Sequence, residues 1–172
     1  MPPEPDQPTC YRVVVKYDGR EFYGWQRLKD KPTVQAALEL AVLAAFSERT
    51  SVQAAGRTDR GAHAVGQVAG FSLSNCVPAA ELVERINEEL LPTIRALSAE
   101  VVAPTFHVRT DAISKDYEYR IANRAHLDLL RFSADRFLMH MVRNMVRAIT
   151  KAGEGRYPPE QLAVILAARS RA

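Results

Sequence analysis

Apolar and polar residues alternate through Tyr11-Arg12-Val13-Val14-Val15-Lys16-Tyr17. This spacing puts Tyr11, Val13, Val15 and Tyr17 on one face of a strand, and Asp18-Gly19 then marks a turn. From Val34 the period changes. Val34, Ala37, Leu38, Ala41, Val42 and Ala45 form one continuous stripe on a helix running to Phe46, with Thr33 as its N-cap. Val65 to Phe71 reads as a strand in which Gly66 and Gly70 leave room beside the backbone. A second helix is bracketed by Pro78 and Pro92, with Leu82, Ile86 and Leu90 facing inward. Ile94 to Val102 predicts another strand.

The composition shifts near Pro104. Ile113 to Ile121 then reads as a strand with Tyr117 and Tyr119 on one face, Tyr119 as a core residue, and Leu129 to Phe132 as a short strand. Ala134 to about Lys151 has helical spacing. Its apolar face is Leu138, Met141, Val142, Met145 and Ile149, and its basic face Arg136, His140, Arg143 and Arg147. Gly153 and Gly155 close it. A last helix from Pro158-Pro159 turns Leu162, Ile165 and Leu166 inward. No internal repeat is visible. The expected architecture is α+β: an antiparallel sheet with helices on one face, in two lobes with a central cleft. Residues 1–10 form a disordered arm, 11–104 an N-terminal lobe and 105–172 a C-terminal lobe.

Composition changes this picture little. The chain has 172 residues, 47% apolar and 25% charged, the balance of a soluble globular protein. No apolar run approaches the roughly 18 residues of a membrane span, and the N-terminal stretch has no apolar signal region. Cys10 and Cys76 lack metal-ligand spacing and read as reduced thiols of a cytoplasmic protein. Charge is more informative. Residues 107–172 carry 12 Lys/Arg and 7 Asp/Glu within a chain of net charge +3, so the C-terminal part is the one suited to a polyanion.

The candidate chemistry lies in Ala55-Gly56-Arg57-Thr58-Asp59-Arg60-Gly61-Ala62-His63-Ala64. Glycines bracket a tight loop in which one carboxylate stands between two guanidinium groups. Flanking cations favour the charged form of Asp59, and a presented carboxylate can act as nucleophile or base. His63 reads as a hydrogen-bonding loop residue more readily than as an acid–base group, and His140 is similarly open. Trp25 reads equally as core packing or as an RNA contact. No zinc-site, P-loop or dinucleotide pattern is present in the sequence.

The run Gly56-Arg57-Thr58-Asp59-Arg60-Gly61-Ala62-His63, followed by Gly66-Gln67-Val68, resembles the catalytic motif of the TruA-type tRNA pseudouridine synthases. Further segments resemble that family in the same order: Tyr17-Asp18-Gly19, Tyr23-Gly24-Trp25-Gln26-Arg27, Val34-Gln35, Phe106-His107-Val108-Arg109, Lys115-Asp116-Tyr117-Glu118-Tyr119 and Phe137 to Asn144. The resemblance implies a cofactor-free, metal-free isomerisation of uridine in the anticodon stem-loop of tRNA, by a homodimer. It implies Asp59 as the catalytic aspartate, Tyr117 packed on the target base, and Arg143 paired with Asp59. Arg57 would hold the flipped nucleotide's phosphate; Arg60, Arg136 and Arg147 would contact RNA.

The chain departs from the family in three places. Members carry a segment with a His-Asp-Phe signature between the Tyr117 strand and the Phe137 region, where only residues 123–130 stand here. They continue past the last helix into a strand that covers the active site, whereas this C-terminal lobe reads as truncated. Arg60 replaces a usual alanine. The alternative is therefore an RNA-binding remnant of the family that no longer isomerises uridine. A hydrolase built on the Asp-Arg loop is disfavoured by the lack of a Ser/Cys–base pair.

Overall fold

The computed structural model describes residues 7–122, 127–138 and 140–167. The order is β1 (Thr9–Tyr17), α1 (Val34–Phe46), β2 (Gln53–Ala54), β3 (Ala64–Leu73), α2 (Ala79–Glu89), β4 (Ile94–Val102), β5 (Lys115–Ala122), β6 (Leu127–Ala134), α3 (Met141–Gly153) and α4 (Glu160–Ala167). Strand pairing is antiparallel throughout, so the class is α+β. The chain divides into two compact units, the first ending at Ala112 and the second beginning at Ile113.

In the first unit four strands are ordered β2-β3-β1-β4. The alternation in β1 has the predicted consequence: Tyr11, Val13, Val15 and Tyr17 are all buried. They pack in one cluster with Val34, Leu38, Val42, Leu82 and Ile86, so α1 and α2 cover that face of the sheet. The Thr33 hydroxyl accepts from the Ala36 N–H at 3.4 Å and caps α1 as its side-chain chemistry predicts. Trp25 is 2% exposed and its ring lies 6.2 Å from that of Tyr17. Core packing is thus its role, and the reading of Trp25 as an RNA contact is overturned. The 106–108 turn lies beside Gly70, where a Cβ would stand 3.4 Å from Val108 Cβ, close to an ordinary contact. Gly66 faces open space, so only Gly70 of the two β3 glycines has a neighbour beside it.

The second unit differs more from expectation. β5 and β6 pair from Lys115 opposite Ala134 to Ala122 opposite Leu127. Strand β6 therefore extends to Ala134, where a helix was expected to begin. The helix starts only at Met141, after a left-handed His140 at φ 61°. Arg136 lies in the intervening loop, where its N–H donates to Asp135 Oδ1 at 2.8 Å, and it does not share a helix face with Arg143 and Arg147. The inward side of α3 centres on Val146, 6% exposed, while Leu138 is 71% exposed. Tyr119 is 46% and Ile165 38% exposed, so neither is the core residue expected. Leu162 is half-buried, and the Leu166 side chain lies outside the described residues. So do residues 1–6, most of the expected arm, whereas Thr9 and Cys10 already belong to β1. Residues 123–126 of the shortened connection and Met139 also lie outside them.

Packing in the first unit includes one buried polar device. The Tyr11 hydroxyl donates to the Val77 carbonyl at 2.9 Å and accepts from the Val77 N–H at 2.6 Å. Burial raises the Tyr11 pKa above its usual value, which keeps the donor in place. Tyr11→Phe leaves both Val77 backbone groups unpaired and is expected to cost about 1–3 kcal/mol, measured as a lowered urea midpoint with unchanged m-value.

Candidate active site

The Asp59 loop connects β2 to β3, and its path is set by the segment that follows β1. Gly24 lies at φ +99°, and a Cβ built on it would meet the Thr58 carbonyl oxygen at 2.6 Å. A Cβ on Gly19 would meet the Ala62 carbonyl oxygen at 1.9 Å. Both contacts are with backbone, so the two segments can lie this close only because these residues are glycines. Hydrogen bonds use the proximity. The Trp25 N–H donates to the Thr58 carbonyl at 3.0 Å and the Gly61 N–H to the Phe22 carbonyl at 3.2 Å. Tyr17 Oη and Thr58 Oγ1 stand 2.8 Å apart, and Gln67 Nε2 donates to the Gly56 carbonyl. Gly61, at φ +77°, makes the turn itself.

On this held backbone Arg57, Asp59 and Arg60 are exposed. The Arg60 guanidinium stacks over the Tyr23 ring at 4.3 Å, with Lys31 Nζ 4.8 Å from the same centroid. The cation that replaces the family's alanine therefore has a defined aromatic rest, which the order of residues along the chain does not reveal.

Beside the loop is a charged cluster that sequence reasoning left without a role. Arg20 Nε lies 2.9 and 3.0 Å from the two Asp18 carboxylate oxygens, and the Arg20 N–H donates to Oδ1 at 3.1 Å. His63 Nδ1 is 3.2 Å from Asp18 Oδ1. The Arg20 side-chain bonds, then its backbone N–H, and last the His63 charge lower the Asp18 carboxyl from 3.8 to about 2. The signal available in sequence was the Tyr17-Asp18-Gly19 segment, which marked a turn without indicating the turn's partner.

Tyr117 and Arg143 belong to the second unit. Tyr117 is half-buried, pairs with Phe132 across the ladder and meets Phe137 edge-on with centroids 5.0 Å apart. Arg143 and Arg147 line an open groove of about 340 Å³ with Tyr119, Val146, Thr150, Lys151, Glu154 and Arg156. The groove therefore gathers four cations and one carboxylate beside an exposed phenol ring. Tyr119, Lys151 and Arg156 are its unforeseen members. The extended spacing of β5 put Tyr119 on the Tyr117 face but could not show that this face stays open. Among the described residues no three His, Cys, Asp or Glu side chains are grouped to hold a metal ion, and no helix is long and apolar enough to cross a membrane.

The first unit thus presents an arginine-flanked aspartate on a glycine-supported loop of an antiparallel α+β fold. The comparisons carry this to a family. The model described as tRNA pseudouridine synthase matches residues 13–111 and 107–172, and the chain belongs to that family. It is 44% identical over 115 residues to "tRNA pseudouridine synthase A" of Rhodopseudomonas palustris, covering 66% of this chain and 46% of that protein. Against the protein of the same name in Methylorubrum extorquens the values are 42% over 139 residues, 76% and 56%. The chain thus spans about half the length of these curated relatives. With the Bradyrhizobium diazoefficiens protein the match is 33% over 224 positions, covering 94% of this chain and 91% of the relative. That alignment is longer than the 172-residue chain, so part of the relative has no counterpart here.

The Asp18 cluster gives a pH dependence with a definite sign. A carboxyl lowered in the folded state from 3.8 to about 2 contributes its full stabilisation above the unfolded value and loses it as pH falls through the folded one. The stability difference between wild type and Asp18→Asn is expected to be constant above about pH 4 and to vanish towards about pH 2, as followed by urea melts across that range.

Proposed function

We propose that this chain is a tRNA pseudouridine synthase acting on uridine in the anticodon stem-loop, with Asp59 as its catalytic aspartate. The observation that carries the reading is the Asp59 loop: the family's motif in an otherwise matching chain, on backbone held by Gly24, Trp25 and Tyr17. The reaction breaks the bond between C1′ and N1, turns the uracil and joins C1′ to C5. The C5 proton is then lost while N1 gains one. Atoms and electrons are conserved within the nucleotide, so the isomerisation requires no co-reactant.

A presented carboxylate supplies the group needed at the reacting ribose or base. Tyr117 offers a flat face for the uracil and a hydroxyl for proton movement. By the family resemblance, Arg143 is the residue that fixes and balances the aspartate. Arg57 takes the phosphate of the extracted nucleotide, offsetting the few kcal/mol that unstacking costs. Arg60, Arg136 and Arg147 contact the RNA backbone, Arg136 from a loop and Arg147 from the α3 groove. The working form is a cytoplasmic homodimer, and tRNA is its partner.

Pseudouridine formation in an unmodified tRNA tests the reading. Wild type is expected to yield product, while Asp59→Asn binds tRNA with similar affinity and gives at least about 1,000-fold less turnover, the scale on which losing a reacting group falls. Retained turnover in Asp59→Asn overturns the assignment. Binding without product in both proteins favours the RNA-binding remnant.

Arg147→Ala is expected to weaken tRNA binding and to reduce the slope of log affinity against log salt by about one counterion. Filter binding at several salt concentrations measures it. An unchanged slope removes Arg147 from the RNA surface.

A further inference from the structure

The family motif ends in His63, and nothing in the proposed chemistry uses it. Its surroundings are specific. The imidazole is 58% exposed, yet Nδ1 lies 3.2 Å from Asp18 Oδ1. Asp18 is itself tied down. Its N–H donates to the Thr93 carbonyl at 2.9 Å, just before β4, and its carboxylate receives the Arg20 side chain and backbone N–H. The carboxylate therefore sits at the junction of β1 and β4, where the two strands pair up to Tyr17 opposite Ile94. His63 is the residue immediately before β3 and follows Ala62, whose carbonyl oxygen lies against Gly19.

Two acceptors would repel at this separation. The Asp18 carboxylate offers only acceptors, and an imidazole N–H is the complementary donor. Asp18 is the charged group within ion-pair distance of the ring.

We propose that the Asp18–His63 contact is a latch on the C-terminal end of the Asp59 loop, and that His63 is a positioning residue for Asp59. The proposal rests on Asp59 being the catalytic aspartate. The glycine contacts hold the loop at Thr58 and Ala62, and a polar tie at His63 restricts the remaining freedom of residues 59–62. Displacement of a reacting group by as little as about 1 Å can lower a rate as much as ~100-fold, so a tie outside the chemistry still acts on turnover.

Two variants and two measurements test it. His63→Ala removes the tie. His63→Asn places an amide N–H near the former Nδ1 and restores it. For His63→Ala, kcat on unmodified tRNA is expected to fall about tenfold, within the range that misplacement produces, with tRNA affinity within about twofold. His63→Asn is expected to recover most of kcat. The second readout does not involve turnover: hydrogen exchange at the Gly61 and Ala62 amides, which donate to the Phe22 and Asp59 carbonyls. Exchange is expected to speed up in His63→Ala and slow again in His63→Asn. Unchanged exchange in His63→Ala overturns the latch even if the wild type forms no pseudouridine, so failure of the catalytic reading and failure of the latch are separately visible. Loss of kcat in both variants with wild-type exchange also overturns it, because the imidazole then acts directly.

Discussion

The first unit depends on one close approach. Two backbone segments, the turn after β1 and the loop before β3, run past each other at distances that a single Cβ at Gly19 or Gly24 would block. The backbone hydrogen bonds at Thr58 and Gly61, on either side of Asp59, use this contact. Thr58 is held by the Trp25 N–H and is placed beside the Tyr17 hydroxyl, and Trp25 is held by burial against Tyr17. An exposed carboxylate on a flexible loop would sample many poses. Here the loop inherits the rigidity of the hydrophobic core through backbone hydrogen bonds, and catalysis by a positioned group requires such inheritance.

A second polar device extends the same logic. Glu39 is 7% exposed on α1, and a carboxylate there needs partners. It accepts from Gln35 Nε2 at 3.0 Å and from the Val52 N–H at 3.0 Å, and pairs with Arg27. The helix, the loop carrying Arg27 and the chain entering β2 are joined by one side chain. The stretch leading into the Asp59 loop is thereby anchored on the side opposite the Gly19 and Gly24 contacts in sequence.

The second unit is built differently. Its sheet has two strands, a number that is marginal without further packing, and Val146 is its one buried hydrophobic side chain among the described residues. Cations dominate instead. Arg143, Arg147, Lys151 and Arg156 share one groove with a single carboxylate, Glu154. Such an excess of like charge is costly in isolation and favourable beside a polyanion. The clustering agrees with the charge imbalance of residues 107–172 and gives it a location.

Local periodicity was enough to place β1 and the two helices of the first unit. The alternation of Tyr11 to Tyr17, the Val34 to Ala45 stripe and the proline-bounded second helix each encode which face is buried, and each forms as its spacing dictates. The Asp59 motif was equally legible, because its residues are contiguous. Tertiary structure decided the rest. That Trp25 is core shows only in the assembled cluster, and that Arg60 rests on Tyr23 and Asp18 meets His63 depends on residues 37 and 45 positions apart in the chain, a distance no local period reports. In the second unit the continuous helical spacing from Ala134 misled. Strand pairing with β5 satisfies the backbone up to Ala134, and the helix starts only after His140. Ladder hydrogen bonds keep the residues up to Ala134 out of the helix, and the left-handed His140 marks its start.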